Sequence, residues 1–218
     1  MKIYAFFLII FSICTCYSRQ VHIVIDPGHG TAHSRVGTAH EAELVMAVAV
    51  EVQKLLKRQH VAVTLTHARV NRTENLGATP SDDTVARAAL ANKKQATLFV
   101  RLHGDEPAGN AMICYPALHT DIGIAQESRR AAECIWKHIV PLVSPIAAYK
   151  KELCTDNDTF IGKQNGGLLE GSQYAQVPVV LIEMLPLNTT GITWLSDKKN
   201  QKKYARAIVT GIAEYLEQ

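Results

Sequence analysis

Short and long apolar runs alternate along the 218 residues, and this predicts an α/β fold: a single domain with a mainly parallel twisted sheet flanked by helices. Three observations carry the prediction. Runs such as Val21 to Ile25 and Val177 to Ile182 are apolar at nearly every position, as strands buried on both faces are. Longer stretches between such runs place apolar residues at three- and four-residue spacing, the period of an amphipathic helix. A hydrophobic content of 47% is enough to fill the core of one domain of this length.

The first residues set the compartment. Lys2 precedes an unbroken apolar run from Ile3 to Cys14, followed by Thr15-Cys16-Tyr17-Ser18. The run is shorter than the roughly 18 residues a membrane span needs, so residues 1–18 read as a secretory signal peptide, with a domain over 19–218. An uncleaved anchor is the alternative. Export to the periplasm or the extracellular space follows. Removal of the signal leaves Cys114, Cys134 and Cys154, so one pair and one free thiol are open to a secreted chain, with nothing to say which. No cysteine has CxxC spacing, which excludes cysteine-ligated zinc.

Val21 to Ile25 is the first strand and delivers the turn Asp26-Pro27-Gly28-His29-Gly30. A polar loop, 31–40, leads into a helix over 41–58, with Leu44, Val45, Val48, Val52, Leu55 and Leu56 on one face. Val61 to Leu65 is the next strand, placed beside the first by a right-handed crossover. After a polar loop, 67–83, Ser81-Asp82-Asp83 is expected to cap a helix over 84–94. Thr97 to Leu102 is a strand ending at His103, and Ala111 to Tyr115 another. A helix over 121–140 is expected to stop at Pro141. The stretch 144–167 is aperiodic, with one short strand expected over 149–153, and 168–174 forms a short helix. Val177 to Ile182 is the last strand and ends at Glu183. Ser196 caps a final helix over 197–216.

In sheets of this kind the residues that end successive strands share one rim, where ligands bind. His29, His103 and Glu183 hold such positions, and Glu41, opening the first helix, points back to the same rim. Two imidazoles and a carboxylate form a catalytic zinc site with a place left for water, whose pKa such a site lowers to about 7. The remaining carboxylate can move the proton. The spacing therefore suggests a zinc hydrolase with one zinc ion at the carboxyl ends of the strands. Each residue also has a plainer reading, as a turn histidine or a helix-dipole glutamate, but a charge ending an apolar strand is seldom buried without a partner or a function. His33, His40 and Glu43 are rival ligands, and Asp26 is expected to hold the His29 ring through its second nitrogen. His22, His60, His67, His119 and His138 have no motif around them.

The segments Ile23-Val24-Ile25-Asp26-Pro27-Gly28-His29-Gly30, Glu41-Ala42-Glu43-Leu44, Arg87 with Ala91-Asn92, Leu102-His103-Gly104-Asp105 and Val180-Leu181-Ile182-Glu183 with Asn188 resemble, in order, the zinc-dependent N-acetylmuramoyl-L-alanine amidases of bacterial cell walls. The resemblance covers nearly everything from His22 onward. It implies that His29, Glu41 and His103 bind zinc and that Glu183 is the catalytic acid and base. The bond cut would join the lactyl group of N-acetylmuramic acid to L-alanine, making peptidoglycan or its muropeptide fragments the substrate.

Three departures touch loops beside the site: Thr31 and Arg101 stand where the family has a glycine and a serine, and Met184-Leu185-Pro186-Leu187 replaces a glycine and an aromatic residue. Rival readings are a zinc exopeptidase, which would need Arg101 to hold a free carboxylate, and a wall-binding module without turnover. The formal net charge of +3 comes from 23 basic and 20 acidic residues scattered along the chain. Nucleic acid is therefore not expected as a partner, whereas a polyanionic wall is compatible. The chain is expected to act as a monomer, with room for a regulatory protein partner.

Overall fold

Strands and helices follow one another as β1 (His22–Pro27), α1 (Ala39–Arg58), β2 (Ala62–Leu65), α2 (Pro80–Lys93), β3 (Leu98–Asp105), β4 (Met112–Tyr115), α3 (Ile122–Val143), β5 (Cys154–Thr155), a 3₁₀ turn (Asp156–Asp158), α4 (Phe160–Gln164), α5 (Glu170–Gln173), β6 (Val179–Pro186), α6 (Thr189–Ser196) and α7 (Lys198–Glu217). This is a computed structural model, and it describes residues 20–29, 39–68 and 79–218. The signal segment 1–18, Thr31 and His33 lie outside the described residues, and so does the side chain of His40.

The sheet runs in the order β2-β1-β3-β6-β4-β5. Strands β2, β1, β3 and β6 are parallel; β4 is antiparallel to β6 and parallel to β5. The expected mainly parallel α/β sheet is thus present, with two short reversed strands at one edge. Its larger face packs on α1, α3 and α7 through Ile23, Ile25, Val100, Leu102, Val180 and Ile182. The other face meets α2 through Val24, Phe99, Val179, Ala88 and Ala91. Burial on both sides explains why β1, β3 and β6 read as continuous apolar runs.

Helices α3 and α7 approach closely at Gly211, where a Cβ would lie 2.4 Å from Ile135 Cα. Pro141 does not stop α3, which continues to Val143. The ring removes one bond near the end of the helix, and the carbonyl it frees, on Lys137, belongs to an exposed residue that water can serve. Helix α2 starts at Pro80 rather than 84. Thr79 and Asp82 form a reciprocal capping box there, and proline suits the first helical position. The edge strand β5 falls at Cys154–Thr155, after the expected 149–153, with Tyr149 making only an isolated bridge to Ala111. Helices α4 and α6 were not expected from the sequence. Asp197, not Ser196, caps α7.

Candidate metal centre

His29 lies two residues beyond the end of β1, in a left-handed backbone conformation with φ of 60°. Such a conformation is unfavourable for a residue other than glycine unless its surroundings hold it. Arg87, on α2, supplies the hold. Its Nη2 donates to the His29 carbonyl at 2.6 Å and its Nη1 to the Pro27 carbonyl at 3.1 Å. The same guanidinium bonds Asp26 at 3.0 Å and Asp83 at 2.6 Å, so its charge is balanced although it is buried.

Asp26 is therefore not the expected partner of the His29 ring. Its carboxylate is taken by Thr66 at 2.6 Å, by Arg87, and by Arg101 Nε at 3.4 Å. Burial alone would push the Asp26 carboxyl up, but the two guanidinium groups and the Thr66 hydroxyl outweigh it and hold the group far below the usual carboxylate range. Asp26 reaches His29 through Arg87. Nothing in the sequence around Arg87 points to this link, because it depends on α2 packing against the turn after β1. The i,i+4 spacing of Arg87 to Asp83 indicated a pair, but nothing local indicated burial.

His103 lies within β3, opposite Glu183 of β6 in the register of the sheet. Both residues were expected at strand ends, whereas the two strands run on to Asp105 and Pro186. The register shifts between His103 and Asp105, an irregularity that re-aims the rim. The His103 ring also rests against Gly28, where a Cβ would come within 2.5 Å of the imidazole. Glycine is needed there for that close approach.

Glu41, in the first turn of α1, brings these pieces together. Its Oε1 lies 2.8 Å from His29 Nε2 and 3.4 Å from His103 Nδ1, and it accepts from the Gly104 amide at 3.1 Å. The two rings meet edge to face with centroids 4.9 Å apart. One donor atom from each of His29, Glu41 and His103 lies within 4.8 Å of the other two. Burial would raise the Glu41 carboxyl, but hydrogen bonds to His103 and His29 outweigh it and hold Glu41 ionised. Burial pushes the His103 imidazole below its usual value, toward the neutral form that ligates metals. Glu43, the rival in the same turn, is exposed.

Glu183 completes the rim. One carboxylate oxygen, Oε2, is buried without a hydrogen-bond partner. Burial first, then the nearby charges of Asp105 and Glu41, push its carboxyl well above the usual range, with Arg101 opposing. A buried carboxyl with a raised pKa beside three convergent donors is the arrangement expected of a general acid and base.

The family model for N-acetylmuramoyl-L-alanine amidase matches residues 23–214, nearly the whole described chain. The chain belongs to the N-acetylmuramoyl-L-alanine amidase family. It is thus an enzyme of that class, a hydrolase cutting the amide between N-acetylmuramic acid and L-alanine in peptidoglycan. No curated protein matches the sequence.

Solved structures share this amidase fold. Ami1 from Mycobacterium smegmatis, an N-acetylmuramyl-L-alanine amidase, aligns with a TM-score of 0.70 at 21% identity, covering 90% of this chain and 97% of that one. The catalytic domain of CwlV from Bacillus (Paenibacillus) polymyxa var. colistinus aligns with a TM-score of 0.68 at 21% identity, covering 91% and 99%. The CwlD amidase from Clostridioides difficile, solved in complex with the GerS lipoprotein, aligns with a TM-score of 0.69 at 22% identity, covering 91% and 99%.

The departures from the family pattern can now be placed on this amidase. Arg101 is buried and tied to Asp26, and its guanidinium lies over Gly171, where a Cβ would be 2.4 Å from Arg101 Cζ. The Arg101 side chain is thus built into the layer beneath the rim, an unsuitable place from which to grip a free peptide carboxylate. Met184 and Leu185 are core residues. Asn188 caps α6 through the Gly191 amide and donates to the Pro107 carbonyl at 3.2 Å. The histidines without a motif have other surroundings: His22 meets Thr64, His67 the Pro27 carbonyl, His119 the Ala175 carbonyl and His138 Glu214, while His60 is exposed beyond the end of α1.

Proposed function

We propose that this amidase works with one zinc ion held by His29, Glu41 and His103, and that Glu183 is its catalytic acid and base. The observation that carries the reading is the convergence of two imidazole nitrogens on one buried carboxylate oxygen, with a second, unpartnered carboxylate beside them. Two nitrogens and one oxygen are a donor set that zinc takes in catalytic sites with an open position. Zinc bound there would polarise the scissile carbonyl and make water acidic enough to attack near neutral pH.

The protein's own residues account for the rest. Gly28 and the Arg87 clamp fix the two imidazoles before substrate arrives, so little reorganisation is required on binding. Glu183 takes a proton from the attacking water at a carboxylate oxygen and returns it to the L-alanine nitrogen as the amide breaks. Its raised pKa suits both transfers. All four residues come from one chain, which favours a monomer. A regulatory protein partner is proposed by analogy with the CwlD and GerS complex. Residues 1–18 are proposed to be a signal peptide delivering the domain 19–218 to the periplasm or the cell exterior.

Purified peptidoglycan is the test substrate. Protein carrying zinc is expected to release stem peptides with a new amino-terminal L-alanine, to lose that activity on chelation and to regain it with zinc. Release of carboxyl-terminal residues instead would favour an exopeptidase. Undiminished turnover by metal-free protein would overturn the zinc assignment.

A further inference from the structure

We infer that Cys114 and Cys154 are joined by a disulfide in the exported enzyme, and that this bond pins the edge strand β5 to β4, the strand beside Glu183. The two residues are direct register partners on the adjacent parallel strands β4 and β5. Neighbouring strands lie about 4.7–4.9 Å apart, inside the range of roughly 4.4–6.8 Å that a disulfide spans between Cα atoms. Partners in direct register point to the same face, and both side chains are buried in one cluster with Met112, Leu169 and Leu181. The two thiols also act on each other, the Cys154 side chain raising the Cys114 thiol and Cys114 lowering that of Cys154. Cys134 takes no part: it belongs to the core on the opposite face of the sheet and meets Gln218.

The chemistry is thiol–disulfide exchange with a small-molecule or protein disulfide as oxidant. Cys154, the less buried of the two, attacks one sulfur of the oxidant and releases the other as a thiol. Cys114 then attacks Cys154 Sγ, expels the second thiol and closes the bond. Two protein thiols lose two electrons and two protons, and the oxidant becomes two thiols. The export proposed above supplies the oxidising setting, and the inference rests on it only in that respect.

The position gives the bond a purpose. Strand β5 is only two residues long at the edge of the sheet, yet the segment it begins covers the face behind the catalytic rim. Asp156, next in sequence but one, accepts from the Leu169 amide, and α5 lies over Arg101. On its other side β4 pairs with β6, setting Met112 against Glu183 and Cys114 against Leu181. A covalent tie at Cys114 and Cys154 thus links the covering segment to the strand that braces Glu183.

Trypsin separates the three cysteines into peptides 102–129, 131–137 and 152–163, so the pairing can be read directly. Purified protein is equilibrated with oxidised and reduced glutathione, alkylated in denaturant without further reductant, digested and mapped by mass spectrometry. A crosslinked 102–129/152–163 peptide with Cys134 alkylated is expected. Reduction should lower Tm by roughly 5–15 °C in the wild type and in Cys134→Ser, and leave Cys154→Ser unchanged. The inference fails if Cys114 and Cys154 stay fully alkylated after oxidation, or if Cys134 enters the crosslink. It also fails if reduction leaves wild-type Tm unmoved. An intact crosslink in a protein without turnover would instead count against the zinc-site reading alone.

Discussion

Glu183 keeps an unpartnered oxygen inside the protein, and such a group costs stability unless it stays protonated. Its pKa is raised above the ordinary carboxyl value, by burial first and then by Asp105 and Glu41. A carboxyl raised in the folded state stabilises the fold below its unfolded pKa of about 4.3, and that contribution is lost as pH rises toward the folded value. Metal-free Glu183→Gln is therefore expected to melt above metal-free wild type at pH 8, with the gap closing near pH 4, as read by thermal unfolding. Turnover on peptidoglycan should fall by about 10²- to 10⁴-fold in the same variant. Arg87 predicts the opposite behaviour. Arg87→Ala strands two buried carboxylates and frees the His29 carbonyl, so a loss of about 3–5 kcal/mol is expected in denaturant unfolding. Arg87→Lys should recover little of it, because one ammonium cannot reach Asp26, Asp83 and two carbonyls together. A wild-type unfolding curve for Arg87→Ala would refute the clamp.

At the level of elements, the packing of α3 on α7 depends on Gly211. Gly211→Ala would drive a methyl into Ile135, and overpacking of this kind costs about 1–3 kcal/mol. A lower unfolding midpoint with the metal site unaffected is the expected result. The strands and long helices of this layer were legible because burial imposes a period on the sequence, as in Leu44, Val45, Val48 and Val52. The short elements were not. Helix α6 is eight residues long and β5 two, too short to display a period, and each is fixed by contacts distant in sequence. The box of Thr79 and Asp82 before α2 was readable, but Ser81-Asp82-Asp83 offered a competing cap. The four residues of the rim were legible because each is a polar residue that follows or interrupts an apolar run or opens a helix, although β3 and β6 run on past His103 and Glu183. The Arg87 clamp and the Cys114–Cys154 register were not, since both depend on which strands become neighbours.

For the molecule as a whole, the proposed ion links stability to metal supply. An ion that binds only the folded chain adds about 2.7 kcal/mol at one hundred times its Kd. Zinc titration should therefore raise Tm continuously, by about 2–4 °C per kcal/mol for a chain of this size, and His103→Ala should abolish the dependence. A Tm indifferent to zinc would argue that the convergent donors hold no ion. The sheet order adds a consequence of another kind. Strand β3 lies between β1, near the start of the chain, and β6, which comes more than seventy residues after it. His103 therefore faces Glu183 only after β6 has been made and inserted. A chain interrupted before β6 carries the three proposed zinc donors but lacks Glu183. The threading of the sheet thus acts as a timer, withholding the amide-cutting activity until the polypeptide is finished and folded.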